Sequence, residues 1–149
     1  MYDRFDRFYW KAQYLGGLPD QSIETLLKNT RELPDNHTMI ALGAMGGAIT
    51  RVGQAATAFP HWDAAFEFHI WPEWSDPDTD EAIIDWAWNF HDAMSQYSTG
   101  YVYVNMLSHD EEDPEAYGGN LQRLAEIKAK WDPANLFRLN HNITPANGI

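Results

Sequence analysis

The segment DEAIIDWAWNFHDAMSQY, from Asp80 to Tyr97, decides the fold class of this sequence. Its apolar residues recur at spacings of four, three, four and three, which places them on one face of an α-helix. We therefore predict a helix over this segment that packs on a core along one stripe. The stripe comprises Ile83, Ala87, Phe90, Met94 and Tyr97.

Segments on both sides of this helix indicate strands and two further helices. Short turns join the strands, with helices inserted between them, which favours an antiparallel β-sheet with helices packed on one face. We therefore predict an α+β fold, ferredoxin-like in character. The predicted strands are Phe5–Tyr14, Thr38–Ala44, Ala48–Val52, Ala64–Trp71 and Tyr101–Leu107, and the other helices begin at Pro19 and span Glu115–Lys130.

The two outer helices also carry apolar stripes, and all three helices are expected on the same face of the sheet. The second face then needs another cover, which a partner could supply. The stripes are Ile23, Leu26, Leu27 and Thr30 in the first helix and Leu121, Leu124, Ile127 and Trp131 in the last.

The length of 149 residues predicts one domain, 1–149, with an extended tail from about residue 132. Aromatic residues make up 14% of the chain and include seven tryptophans. This excess is typical of a well-filled core, or of a surface that receives another domain or an aromatic substrate. The sequence leaves both interpretations open.

The net charge of −12 makes binding to nucleic acid unfavourable. The chain has no cysteine, so disulfides and thiolate chemistry are excluded. No apolar run reaches membrane-spanning length, and the first residues have no signal-peptide core. We therefore expect no membrane partner and a cytoplasmic location.

Glu67 and His69 alternate with apolar residues in FEFHI, so both should lie on one face of a strand. A carboxylate and an imidazole in this arrangement could transfer a proton; the alternative is an ordinary solvent-facing strand. The six histidines lack the spacing of a metal-binding helix, and the acidic clusters lack the pattern of an EF-hand. No metal site is expected.

Four segments, in order, resemble motifs of the berberine-bridge family of FAD-linked oxidases. They are FYWKAQYL from Phe8, the glycine pair and FPHW motif within Gly46–Trp62, YVYVN in Tyr101–Asn105, and YGGNLQRLAEIKAKWDPANLFRLNHNITP in Tyr117–Pro145. Together they cover nearly the whole chain and correspond to the carboxy-terminal, substrate-side region of the family.

The resemblance implies a sheet that lies over the flavin ring and binds a small-molecule substrate. Glu67 falls near a glutamate that acts as a base in some members, and Tyr103 is expected to polarise the substrate. The remaining implied residues are Asn105, Tyr117 and Asn120 towards the cofactor and His69 and Tyr101 towards the substrate.

Three positions depart from the family pattern. Met106 stands where many members have a proton-abstracting Tyr or His, Trp62 replaces an arginine, and His141 replaces a glutamine. The family binds FAD mostly through an amino-terminal domain. We therefore expect an oxidoreductase region that is inactive alone, either a fragment that lacks its flavin-binding domain or a subunit completed by an FAD-binding partner chain. The alternative is a non-enzymatic remnant that forms homo-oligomers or binds a small ligand.

Overall fold

The computed structural model describes residues 7–34, 37–107, 111 and 114–146. No helix within these ranges is long and apolar enough to cross a membrane. The strands are β1 (Arg7–Phe8), β2 (Lys11–Leu15), β3 (Met39–Ala44), β4 (Phe66–Trp71) and β5 (Glu73–Trp74), and the α-helices are α1 (Asp20–Arg31), α2 (Asp80–Ser95) and α3 (Leu121–Trp131).

Strand β4 is the centre of an antiparallel sheet in the order β2-β4-β3, and β1 and β5 form a separate antiparallel ribbon. Glu67 of β4 is paired with Tyr14 of β2 on one side and with Gly43 of β3 on the other. Paired residues point to the same face of a sheet. The predicted α+β fold with an antiparallel sheet is confirmed.

Helix α2 packs its predicted stripe against one face of this sheet. The ring of Phe90 is fully buried and meets Phe68 of β4 edge-on, with ring centroids 5.3 Å apart. The Asp80 carboxylate accepts hydrogen bonds from the Arg7 guanidinium and from Trp74 Nε1, which joins the two-stranded ribbon to the start of α2. The buried stripe residues are Ile83, Ala87, Phe90 and Met94, and Tyr97 is half-buried just beyond the helix.

Helix α1 lies on the same face, because Leu26 is buried in the same apolar cluster as Phe90. Its predicted apolar face is only partly correct. Ile23 and Leu27 remain 42% and 51% exposed, since α1 touches the core along a single line of residues.

Two predicted strands are wrong. Residues Ala48–Val52 contain the 3-10 turn Ile49–Arg51, and residues Tyr101–Leu107 contain the 3-10 turn Val104–Met106. The carbonyl of Tyr101 still accepts a hydrogen bond from the Tyr14 amide at 2.9 Å. Beyond that contact the backbone leaves the edge of β2, so no ladder continues along it. The predicted strand Phe5–Tyr14 is divided into β1 and β2, and Phe5 lies outside the described residues.

The second face of the sheet is partly covered by the segments around residues 101–107 and 114–120. A small apolar cluster joins them to Ala12 of β2. Met106 is partly buried and packs against this cluster. The cluster's buried members are Ala12, Val102, Leu107 and Ala116.

Helix α3 starts later than predicted, because residues 114–120 form 3-10 turns interrupted by a non-helical Gly118. Its predicted inner stripe is wrong for this chain: α3 has no fully buried residue, and Trp131 is 77% exposed. Asp132 ends the helix and accepts hydrogen bonds from the Leu136 and Phe137 amides and from Lys128 Nζ. The apolar side chains beyond α3 are therefore held on an ordered backbone while exposed to solvent.

We expect Phe90→Ala to lower the free energy of unfolding by about 3–5 kcal/mol, because it leaves a cavity between α2 and β4. Urea unfolding followed by far-ultraviolet circular dichroism measures this change. The matched control is Phe137→Ala, whose ring is 82% exposed and should contribute under about 0.5 kcal/mol. Equal losses from the two substitutions would contradict the assignment of the core.

Candidate active site

Strand β4 presents a carboxylate and an imidazole on the face opposite α2. Glu67 Oε1 lies 3.2 Å from His69 Nε2, and the side chains are 27% and 13% exposed. Since an imidazole N–H can donate to the carboxylate, His69 limits the orientations that Glu67 can adopt. The two groups therefore form a sheltered pair that a small molecule can still reach.

Small residues flank this pair on β3. Ala41 is paired with His69 and Gly43 with Glu67, so both point to the same face. A Cβ built on Gly43 would lie 3.7 Å from Glu67 Oε2. The surface beside the carboxylate is consequently low and flat.

An aromatic cluster borders the pair on the β2 side. The Tyr14 ring meets Phe59 edge-on, with centroids 5.8 Å apart, and Phe59 meets Tyr103 in the same way at 5.8 Å. His61 stacks on Tyr101 at 4.2 Å and also contacts the Tyr14 ring at 5.7 Å. Loop residues Phe59 and His61 thus connect β2 to the two tyrosines of the 101–107 segment.

Tyr103 and Asn105 act as a pair. Asn105 Nδ2 donates to the Tyr103 hydroxyl oxygen at 2.7 Å. The phenol accepts this bond, so its own proton remains available for another acceptor. This arrangement suits Tyr103 as a hydrogen-bond donor and places Asn105 behind it.

Tyr101 lies between the aromatic cluster and a cavity of about 470 Å³ at the edge of β2. The cavity is in the range of small-molecule sites. Its polar wall includes Gln13, His91, Ser95 and Glu111. Burial is the main cause that lowers the pKa of His91, so the imidazole is neutral at neutral pH.

Asn120 is buried and bonded to the backbone of a loop. Its Nδ2 donates to the carbonyls of Gln54 and Thr57, at 2.7 and 3.1 Å. Arg123 adds a bond to the Ala55 carbonyl. Both amide protons of Asn120 are used in this way, so only its carbonyl oxygen remains for a cofactor.

Gly118 allows the 114–120 segment to approach the FPHW loop closely. Its φ of +47° disfavours any residue with a side chain, and an added Cβ would lie 3.3 Å from Pro60. Nearby, His61 Nε2 donates to the Ala116 carbonyl at 3.1 Å. Tyr117 follows Ala116; it is half-buried, and burial raises the pKa of its phenol.

Four of the predicted residues surround one region: Glu67 and His69 directly, Tyr103 through Phe59 and Tyr14, and Tyr101 through His61. Three further residues contribute to this region and were not predicted from the sequence. Tyr14 lies in the FYWKAQYL segment of the family resemblance, but its place beside Glu67 depends on the register between β2 and β4. The missed residues are Tyr14, Phe59 and His61.

Residues 102–144 match the family model described as berberine and berberine like. This range contains Tyr103, Asn105, Tyr117 and Asn120. This carboxy-terminal part of the chain belongs to the berberine-bridge-like family. The match includes the YVYVN segment from Val102 onward and most of the Tyr117–Pro145 segment, which carry two of the four motifs.

Two curated relatives extend the likeness upstream. The chain is 28% identical over 130 residues to an uncharacterized FAD-linked oxidoreductase, YgaK, of Bacillus subtilis, covering 86% of this chain and 29% of the relative. It is 30% identical over 142 residues to the monolignol oxidoreductase AtBBE-like 13 of Arabidopsis thaliana, covering 85% and 26%. The chain therefore spans under a third of the length of these berberine-bridge-like relatives.

The fold is that of berberine bridge enzyme from Eschscholzia californica. The TM-score is 0.86 at 21% identity, and the alignment covers 100% of this chain and 35% of the other. The shared fold includes the sheet that carries Glu67 and His69.

FAD is the cofactor of the berberine-bridge-like family, and the described residues fit one part of it. The low surface beside Glu67, formed by Ala41 and Gly43, suits a planar ring system. The diphosphate does not fit: the pair Gly46 and Gly47 leads into a three-residue 3-10 turn rather than into a long helix with free amides.

We expect stability to fall above about pH 10, because the pKa of Tyr14 is raised, first by burial and then by the charges of Glu67 and Tyr103. The folded chain retains the phenol proton while the unfolded chain releases it, so the loss reaches about 1.4 kcal/mol per pH unit. Urea unfolding between about pH 8 and 11 measures the slope. Tyr14→Phe should flatten it; identical slopes in the parent and in Tyr14→Phe would contradict this assignment.

Proposed function

We propose that this chain is the substrate-side region of an FAD-dependent oxidoreductase that removes a hydride from an alcohol or an activated C–H bond. The observation that carries the proposal is the Glu67–His69 pair, at 3.2 Å, on a flat sheet face bordered by phenols. FAD, when bound, supplies the hydride acceptor, with molecular oxygen as the final electron acceptor.

Glu67 is the proposed base. In an alcohol oxidation the substrate hydroxyl gives its proton to the Glu67 carboxylate while the adjacent carbon loses a hydride. His69 orients the carboxylate by donating a hydrogen bond and also borders the bound substrate. Tyr103 donates its free proton to the substrate oxygen, and Asn105 holds the phenol in place.

Substrate binding is proposed on the aromatic side of the pair. Tyr101 forms part of the wall, with its ring fixed by stacking on His61. Asn120 and Tyr117, in the 114–120 segment, support the aromatic side of the site. We place the side-chain carbonyl oxygen of Asn120, the atom left without a bond to the loop, towards the cofactor.

A flavin-binding domain is the proposed partner, on the same polypeptide or on a second chain. The exposed apolar residues at the end of α3 favour such a partner, since Trp131, Phe137 and Leu139 are 77%, 82% and 86% exposed. Asp132 holds the backbone beneath them. Ordered apolar groups of this size are typical of a surface that another protein covers.

Self-association is the second candidate use of the same surface. Two copies could bury their Trp131 and Phe137 side chains against each other, which would suit a non-enzymatic domain. Light scattering separates the two candidates. A self-association surface should make the isolated chain a dimer, whereas a flavin-domain surface is covered in a chimera that also carries a flavin-binding domain, and that chimera should be monomeric.

The 149-residue chain alone should not retain FAD, because the part of it that the structure describes offers no cradle for the diphosphate. After incubation with excess FAD and gel filtration, the protein peak should lack the visible absorption of the flavin. A chimera in which this chain replaces the matched region of YgaK should elute yellow. Stoichiometric flavin on the isolated chain would contradict the proposed incompleteness.

Glu67→Gln in that chimera should slow flavin reduction by about 100-fold, as expected for loss of a general base. Stopped-flow absorbance with coniferyl alcohol, a monolignol, measures the step under anaerobic conditions. The matched control is Glu24→Gln on exposed α1, which should leave the rate unchanged. If Glu67→Gln reduces its flavin as fast as the parent, Glu67 is not the base.

A further inference from the structure

We propose that Tyr14 is a catalytic residue of this site and donates its phenolic hydrogen bond to the oxygen of a hydroxylated substrate held at Glu67. The inference rests on the proposed function and adds to it a residue that lies outside the matched family segment 102–144. Tyr14 would act together with Tyr103, so that two phenols meet the same oxygen.

The sheet register fixes the position of Tyr14 relative to Glu67. The two residues are paired across β2 and β4 and point to the same face. The Tyr14 amide donates to the Tyr101 carbonyl at 2.9 Å, and the Tyr14 carbonyl accepts from the Thr99 amide at 2.8 Å. Because both backbone groups are bonded on the outer side of β2, the strand cannot slip without breaking these contacts.

The ring of Tyr14 is held by its neighbours. Phe59 and His61 contact it at centroid distances of 5.8 and 5.7 Å, and the residue is only 2% exposed. A side chain fixed in this way loses little freedom when it binds a ligand, which strengthens the hydrogen bond it can make.

The hydroxyl of Tyr14 has a proton to give. Among the described residues no side chain or backbone group is hydrogen-bonded to it, although the ring is buried. A buried phenol normally has a partner for its hydroxyl, because an unmet donor is costly. The hydroxyl is also absent from the fully enclosed polar atoms that lack a partner, so it is not completely enclosed.

Burial and the nearby charge of Glu67 make Tyr14 a hydrogen-bond donor and not a base. Burial, followed by the nearby Glu67 carboxylate, raises the pKa of the phenol, which stays protonated throughout the neutral range. In the oxidation step the substrate O–H proton passes to Glu67, and the carbon gives up the hydride that bound FAD would accept. Tyr14 keeps its own proton and stabilises the negative charge that develops on the substrate oxygen.

A flavin-free experiment tests the donor role with the 149-residue chain and coniferaldehyde, the aldehyde that alcohol oxidation would give. A hydrogen bond to the conjugated carbonyl shifts its absorption band to longer wavelength. We expect this shift on binding to the chain, and we expect Tyr14→Phe to abolish most of it and weaken binding by about 3- to 10-fold. Tyr97→Phe, which removes a hydroxyl on the helix side, should keep both the shift and the affinity.

Tyr14→Phe should fold normally, because it removes only an oxygen without a protein partner; its circular dichroism spectrum checks this. An unchanged shift in Tyr14→Phe, or no shift with the parent chain, would overturn the inference.

The YgaK chimera separates this inference from the proposed function. Slower flavin reduction in Tyr14→Phe, by about 10-fold or more at an unchanged KM, supports the role in the transition state. If the chimera with Tyr14→Phe oxidises coniferyl alcohol at the same rate as the unsubstituted chimera, the inference is wrong and the proposed function is unaffected. The opposite result is an absorption shift of the aldehyde that depends on Tyr14, without flavin reduction by alcohols. It would contradict the proposed function and support the donor role of Tyr14.

Discussion

The pairing of β4 with a strand on each side is the constraint on which the rest of this structure depends. The register aligns Tyr14, Glu67 and Gly43 in one row across the sheet. A slip of one residue would turn Glu67 and His69 into the core and bring Phe68 and Ile70 to the open face. The burial of Phe68 against Phe90 opposes that slip, so packing on the helix side also fixes the chemistry on the other side.

Local patterns predicted the elements that bury a continuous apolar stripe. The helix at Asp80–Ser95 and the strand at Phe66–Trp71 are of this kind, because their side chains meet the same core. The pattern failed for Tyr101–Leu107, which has the composition of a strand. Alternation indicates an extended backbone but not a partner, and here the chain makes one bond to β2 and then turns to pack on Ala12.

The sequence predicted only part of the candidate site. Alternation alone placed Glu67 and His69 on one face, and the structure shows them in contact. Their catalytic roles stay predictions. Tyr14 could not be found in this way, because its proximity to Glu67 is a property of the register between strands separated by about fifty residues of sequence. Asn120 was predicted as a cofactor contact, yet its amide protons bond to the loop that carries Phe59 and His61.

The exposed end of α3 follows from the same logic of paired faces. The apolar residues of Leu121–Trp131 recur with the period of a helix that buries one face. In the described structure none of them is buried. Lys128 and Asp132 nevertheless hold the following backbone in a defined turn. Exposure of ordered apolar side chains is unfavourable in water, and this supports the proposal that another protein covers the surface.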